Sequence, residues 1–473
     1  MAISLNIFSL VVVPLFYAVG VVFALVAISQ ERSSQGAVAW TVALVAMPFV
    51  SVPLFVVFGG WRFSGYVKKF RTQLARTPIS RDLLPDPLRL TDTDLGAMQV
   101  IEKLARFPFT RGNEVDLLID ADDTYAALFQ SIDRATRSIL MQFYIINDDD
   151  AGREFAQHLI GAAKRGVEVR VLYDEIGCNR TPEAYFSRLR DAGISVSPFG
   201  SATRMGKRFQ INFRNHRKIA VFDGQIGFTG GLNIGDEYLG KSKGRRSWRD
   251  THLRFAGPTV KAAQFSFLED WHWATGEQLE LDWSVPSIQD DAQTALFLAT
   301  GPADKNDTFK LFVVQAINAA QESIWIATPY FVPDEEVITA LHLAVMRGVE
   351  VRLLVPETSD HWIVGLAVHA WIDRALSNGA KVHRYRPGFM HQKVMLIDDR
   401  FSSLGSGNMD NRSFRLNFEA SLLVLDEEFA RQTKAMLERD FERSVPMPAG
   451  HLASRPLLFR LMVNLARLAS PLL

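Results

Sequence analysis

Arg165-Gly-Val-Glu-Val-Arg-Val-Leu172 returns downstream, almost letter for letter, as Arg347-Gly-Val-Glu-Val-Arg-Leu-Leu354. Each copy follows a stretch of helical period, Glu154 to Lys164 and Glu335 to Met346. Ahead of those stretches lie apolar runs of β type, Ser138-Ile-Leu-Met-Gln-Phe-Tyr144 and Ser323-Ile-Trp-Ile-Ala-Thr-Pro-Tyr330. Behind them, Ala192-Gly-Ile-Ser-Val196 aligns with Asn378-Gly-Ala-Lys-Val382. The order strand, helix, strand, helix, strand is read twice, which predicts two α/β units with mostly parallel sheets. One such match is common chance; four in the same order at a nearly constant offset mark a duplication.

A further correspondence is chemical. His216-Arg-Lys218 is followed after four residues by Asp223, and after six more by Gly230-Gly231-Leu-Asn233. His391-Gln-Lys393, Asp398 and Gly405-Ser406-Gly-Asn408 repeat that spacing. At residue frequencies of a few per cent, one match has a chance probability on the order of 10⁻⁷ per position. Ile219 to Phe222 and Val394 to Ile397 read as strand interiors, so each His and the Lys two residues on share a face. A neutral imidazole beside a fixed ammonium suits attack on a phosphate whose non-bridging oxygens the lysine holds. Asn233 and Asn408 follow glycines that admit close backbone approach, and turn their amides toward the same oxygens. Asp223 and Asp398 complete the catalytic motif. Their odd offset from the histidine faces them away from the phosphate, so a structural role is expected rather than acid chemistry.

One half supplies a nucleophile without an acid. Two halves brought together about a pseudo-twofold axis set His216 and His391 on opposite sides of one phosphorus, one attacking and the other protonating the leaving alkoxide. Lys218, Lys393, Asn233 and Asn408 meet the developing charge, so the scheme needs no metal and no cofactor. Carboxylates should orient the rings from behind. Asp250 is the candidate for the first motif and Glu419 for the second, each on a strand beyond its asparagine. His158, His342, His361 and His369 are expected to be packed or solvated, whereas a site role is open for His252. Tyr330 is expected as a core ring, with substrate contact the alternative.

The 473 residues balance 52 basic against 52 acidic side chains, which disfavours a general nucleic-acid binder. A single cysteine, Cys178, excludes an internal disulfide and a cysteine-cluster metal site, and reads as a buried inert thiol. Ile7 to Ile28 and Ala37 to Gly60 carry no charge, and each exceeds the roughly 20 residues that cross a bilayer as a helix. Pro14 and Pro48 are expected to kink them. No basic segment precedes the first, so it reads as a span and not as a cleaved signal. Only Glu31 and Arg32 lie between the two, whereas Arg62, Lys68, Lys69, Arg71 and Arg76 follow the second, which places both ends of the hairpin in the cytoplasm. The run Gly244 to Arg249, with Arg245, Arg246 and Arg249 around Trp248, reads as a solvated loop or a grip on lipid phosphate. Leu457 to Leu473, apolar with Arg460 and Arg467, is expected to close the core, an interfacial position being the alternative.

The paired motifs resemble those of the phospholipase D superfamily. Flanking pieces narrow the likeness to bacterial cardiolipin synthases: Ala39-Trp40 with Pro48, Ser247-Trp-Arg-Asp-Thr-His252, Thr328-Pro-Tyr-Phe-Val-Pro333, Asn408-Met-Asp-Asn-Arg-Ser-Phe-Arg-Leu-Asn-Phe-Glu419 and Leu468-Ala-Ser-Pro-Leu-Leu473. The resemblance implies two duplicated phospholipase D-like α/β/α domains with mixed sheets, pseudo-twofold related, behind a two-helix transmembrane hairpin. Residues 1–60 form that hairpin and 61–110 a basic connector punctuated by Pro78, Pro85 and Pro87, with a second seam near Gly276 to Asp290. Residues 111–286 are the first domain, and 287–473 the second with its C-terminal amphipathic helix. It also implies transphosphatidylation in a bacterial inner membrane, with the catalytic domains facing the cytoplasm. One phosphatidylglycerol gives its phosphatidyl group to His216 and releases glycerol; a second takes it, with His391 as acid and then base, yielding cardiolipin. Membrane lipids are then the partners and nucleic acid is not, while a homo-oligomer stays open. A lipid-hydrolysing phospholipase D, a synthase drawing on phosphatidylethanolamine and a superfamily nuclease share the motif.

Overall fold

The computed structural model describes residues 8–30, 34–59, 88–90, 95–200, 212–241, 247–285 and 292–473. The connector prolines, the basic residues from Arg62 to Arg76, Glu31, Arg32, Arg245 and Arg246 lie outside them, as does the end of the seam beyond residue 285. The N-terminal helices and the α/β body belong to separate compact units.

Uncharged residues from Val13 to Gln30 form one helix, and Leu10–Ser29 is apolar and long enough to cross a membrane. Pro14 stands just beyond a π-helical turn, Phe8–Val12, so the run is irregular where this proline withholds its amide. The second apolar run is not one helix. Ser34–Ala46 ends at Met47, whose backbone leaves the helical region, and Pro48 opens a new helix, Pro48–Phe58. Proline excludes the helical conformation from the residue before it, so the expected kink is a break. These helices pack on one another through Phe16 with Phe49, and through Phe55 with Phe23 and Trp40.

One sheet of sixteen strands, among the described residues, carries the body. From the centre outward its first half runs Thr110–Ile119, Thr251–Ala256, Ile226–Gly230, Ile219–Phe222, Ser138–Phe143, Glu168–Asp174 and Ser195–Phe199. The other half runs Gln293–Thr300, Asn417–Leu425, Phe401–Gly405, Val394–Ile397, Ser323–Ala327, Glu350–Pro356 and Lys381–Tyr385. Position by position the halves correspond, and they join where Thr110–Ile119 pairs antiparallel with Gln293–Thr300. The three outer strands of each set are parallel, as the repeat predicts. The inner ones are antiparallel, so the sheet is mixed and not mostly parallel. The physical reason is the turn after each motif: Asp223 to Gln225 is too short for a crossover and permits only a hairpin.

Those turns also use the motif aspartates. Asp223, at φ 52°, accepts the backbone N–H groups of Thr136, Arg137 and Ser138 at 2.9, 2.7 and 2.8 Å. Asp398, also at φ 52°, accepts those of Gln321, Glu322 and Ser323 at 2.8, 2.8 and 2.9 Å. Each carboxylate ties its hairpin to the start of the neighbouring strand and is placed apart from the histidines, which corrects its grouping with the catalytic residues.

The C-terminal helix Leu457–Leu468 departs from the expected core packing. Val463 is its one buried residue, while Leu457, Leu458 and Leu468 are 79%, 67% and 74% exposed. Its apolar face is wider than the edge it lays on helix Trp362–Ser377, so most of that face stays uncovered within the body.

Asp223→Ala should lower the melting temperature by several degrees, because it strands three amides and puts at positive φ a residue without the polar side chain that eases that conformation; about 1–3 kcal/mol is at stake. Burial opposes ionisation of this carboxyl, but the amides of Ser138, Thr136 and Arg137 hold it below the usual range. Its stabilisation is therefore complete above the unfolded value of about 3.9 and fades as the pH falls through the depressed one. Calorimetry of wild type and variant between neutral and acid pH checks both statements, and equal melting curves would refute them.

Candidate active site

Two short parallel pairings exchange backbone between the halves. Arg214–Asn215 lies beside Asn417–Phe418, and the His216 N–H donates to the Phe418 carbonyl at 2.9 Å. Gly388–Met390 lies beside Ser247–Arg249, and the His391 N–H donates to the Arg249 carbonyl at 2.7 Å. Each histidine is thereby delivered to a carboxylate of the opposite half. His216 Nδ1 meets Glu419 Oε2 at 3.0 Å, and His391 Nδ1 meets Asp250 Oδ2 at 2.8 Å. The expected partners were the reverse, Asp250 for the first motif and Glu419 for the second. Chain order suggests a carboxylate in the same half, and the exchanged strands override it. The glycines make room: a Cβ on Gly231 would stand 2.0 Å from Asp250 Oδ1, and one on Gly405 2.3 Å from the Ala420 carbonyl oxygen.

Both carboxylates are fully buried and well supplied with donors. Glu419 accepts from Ser406 Oγ at 2.5 Å, Ser413 Oγ at 2.9 Å and Asn417 Nδ2 at 3.1 Å. Asp250 accepts the Thr251 N–H at 2.8 Å. Burial pushes each toward protonation, but Lys393 and His391 hold the Asp250 carboxyl below the usual range, as His216 and Lys218 do for Glu419. Ionised carboxylates at Nδ1 fix that proton and leave Nε2 with the lone pair. Burial, reinforced by Lys393 and opposed by Asp250, pulls His391 down to about 4. His216 is lowered as well, by burial and by Lys218 against the pull of Glu419. The resting rings are therefore neutral bases.

His216, His391, Asn233 and Asn408 all line one cavity of about 650 Å³. The lysines do not line it, contrary to the expectation that they reach the phosphate from its wall. Lys218 is wholly buried with Nζ on the His216 carbonyl at 2.7 Å, while Lys393 Nζ lies 2.9 and 3.0 Å from the ring nitrogens of His391. Burial brings Lys218 down to about 7 and Lys393 to about 8, against the attraction of Glu419 and Asp250. They act as positive charges beneath the imidazoles. Asn233 receives the Ile145 N–H at 3.1 Å and donates to the Tyr238 hydroxyl at 2.8 Å; Asn408 donates to Asp410 at 3.2 Å.

The residue between His and Lys points the other way and anchors its motif. Arg217 pairs with buried Asp270 at 2.8 Å, and Gln392 donates to buried Asp440 at 2.9 Å. Arg249 also pairs with Asp440, at 2.8 Å, so it is neither solvated nor a lipid grip. Tyr330 and His361 line the cavity, and the Tyr330 hydroxyl donates to Asp360 at 2.8 Å, so that ring borders the cavity and is not a core ring. His252 is buried beneath Gly230, and burial pulls it down to about 3; it does not line the cavity. Cys178 is buried with its thiol pushed up to about 12 by desolvation. Motif reading missed Tyr144, whose ring lies 5.0 Å from His216, and Trp248, 5.0 Å from His391. Tyr144 had a signal, since the corresponding β run of each repeat closes on a tyrosine, Tyr144 in one and Tyr330 in the other. Among the described residues no cluster of three or more His, Cys, Asp or Glu is placed to hold a metal ion.

Glu419→Gln should lower the pKa of His216 and leave that of His391 nearly where it is, with Asp250→Asn doing the converse. Histidine-selective NMR titration reads both. Shifts confined to the histidine of the same half would refute the exchanged pairing.

A family model described as "Cardiolipin synthase, PLD-like domain" matches residues 128–244 and again 313–441. The chain is 43% identical over 473 residues to cardiolipin synthase A of Pseudomonas fluorescens, covering 98% of each chain. It is 44% identical over 459 residues to cardiolipin synthase A of Pseudomonas syringae pv. syringae, covering 94% of this chain and 95% of that one. Among solved structures, the phosphatidylserine synthase of Haemophilus influenzae shares the fold, with a TM-score of 0.58 at 16% identity over 80% of this chain and 99% of that one. Two matched segments, each holding one histidine of a shared cavity, and identity sustained along nearly the full length place this chain in the cardiolipin synthase family with phospholipase D-like domains.

Proposed function

We propose that this chain transfers a phosphatidyl group from one phosphatidylglycerol to another through a phosphohistidine, giving cardiolipin and glycerol. The observation that carries the mechanism is the single cavity walled by His216 and His391, each backed by an ionised carboxylate. In the order we propose, His216 Nε2 attacks phosphorus. The P–N bond forms as the P–O bond to glycerol breaks, and protonated His391 gives its proton to the departing oxygen. A phosphodiester anion in the cavity draws the Lys393 ammonium from the His391 ring to its own oxygen. That removes the charge which helps depress the imidazole and lets it hold a proton. Neutral again, His391 takes the proton of the second lipid's hydroxyl, whose oxygen attacks phosphorus and releases His216. Water in place of that lipid would make the same site a phospholipase.

The same reading sets the chain in the cell membrane. The helix Val13–Gln30 spans it, the second run returns in two pieces, and residues 61–110 lead to two domains, 111–286 and 287–473, on the cytoplasmic side. The exposed face of Leu457–Leu468, flanked by Arg460 and Arg467, lies along the headgroups of the same leaflet.

Purified protein in phosphatidylglycerol vesicles without divalent metal should form cardiolipin and glycerol in equal amounts; phosphatidic acid as sole product would overturn the synthase reading. With a p-nitrophenyl phosphatidyl ester, whose leaving group needs no acid, His391→Ala should release one equivalent of p-nitrophenol and stall, and His216→Ala none. The opposite pattern reverses the order. For the helix, Leu461→Cys carrying an environment-sensitive dye should emit to the blue of an equally labelled Glu438→Cys in proteoliposomes, the native thiol being buried. Identical emission would take the helix off the leaflet.

A further inference from the structure

The duplication makes the half-sites alike wherever they share chemistry, so the positions at which they differ carry separate information. Two residues before the histidine stand Arg214 in the first half and Phe389 in the second. Four residues after the asparagine stand Glu237 in the first and Arg412 in the second. The exchanged pairing of Arg214–Asn215 with Asn417–Phe418 brings both arginines to the cavity from opposite halves. Both act on the Tyr144 phenol, whose ring borders His216. They also feel one another: after burial, Arg214 is the largest influence lowering the pKa of Arg412. The surroundings of His391 are aromatic instead, with Trp248 at 5.0 Å and Phe389 at 5.7 Å.

The reacting phosphodiester carries one negative charge, and the lysines beneath the imidazoles already answer it. Two guanidinium groups lining the same cavity, Arg412 with Asp410 and Glu419 acting on it as well, offer a second place for an anion, and guanidinium is the cation whose planar fork matches phosphate. Of the groups that end the reaction, only a lipid acceptor carries one: its own phosphate sits one glycerol away from the attacking hydroxyl. Water and neutral alcohols have none. Asn417, which pairs with Arg214 across the exchanged strands, lines the same cavity, and its buried Oδ1 has no hydrogen-bond partner among the described residues.

We infer that Arg214 and Arg412 bind the phosphate of the acceptor lipid, and that this pair selects an anionic phospholipid over water or a neutral alcohol as the second substrate. The inference rests on the phosphatidyl-transfer reading above. No new bond is involved; the arginines position the acceptor, whose hydroxyl loses its proton to the imidazole as before.

The test uses the full-length protein in phosphatidylglycerol vesicles with ethanol added, so that the two acceptors compete for one phosphoenzyme. Cardiolipin and phosphatidylethanol are measured in the same tube, which makes their ratio independent of how much enzyme is folded. Arg214→Gln and Arg412→Gln should each lower the cardiolipin to phosphatidylethanol ratio about tenfold or more, and Arg→Lys at either position should recover part of it. An unchanged ratio in both glutamine variants overturns the inference. Loss of both products in the glutamine variants also overturns it, since the arginines would then serve the transfer step or the fold. Wild type that makes phosphatidylethanol or phosphatidic acid but no cardiolipin would instead sink the underlying transfer reading.

Discussion

A buried imidazole serves as a base only when its far nitrogen is held, and in this protein the group that holds it always belongs to the other half of the chain. Glu419 reaches His216 and Asp250 reaches His391 because two short strand pairings carry each motif across the join. Neither half-site is complete alone. The continuous sheet, the exchanged strands and the shared cavity are one arrangement, and loosening the join would free both rings from their carboxylates together.

The charges beneath the rings follow the same logic. Two lysines, two histidines and two carboxylates buried side by side would each be costly in isolation, and each is tolerated because its neighbours oppose it. Burial pulls both lysines toward neutrality while the carboxylates pull them back. Asp270 and Asp440, on the two long helices that follow the central strands, pin the intervening Arg217 and Gln392 and so keep the histidines from turning away.

Much of this was legible in order and spacing. Alternation along an extended backbone is a local property, so the opposite facing of Arg217 and Gln392 and the turned-away aspartates followed from counting, whereas the depth of the lysines beneath the rings did not. The partner of Asp223 was not legible, because the start of a neighbouring strand is not visible in its own sequence. The same holds for Arg249, which looks like part of a polar loop until Asp440 is placed beside it. Pro48 was read as a kink where it ends a helix, and the apolar face of Leu457–Leu468 was read as core because periodicity reports amphipathicity without saying what covers it.

By itself, then, the chain's order of residues determined the duplication, the two histidines, the motif spacing and the strand-and-helix sequence of each half, all of which depend on neighbours a few positions apart. The tertiary structure alone decided which carboxylate backs which imidazole, that the lysines lie beneath the rings, and that Arg214 and Arg412 line one cavity. Those outcomes depend on strands of different halves pairing side by side, and register between distant segments is set by packing and hydrogen bonding that no local spacing encodes.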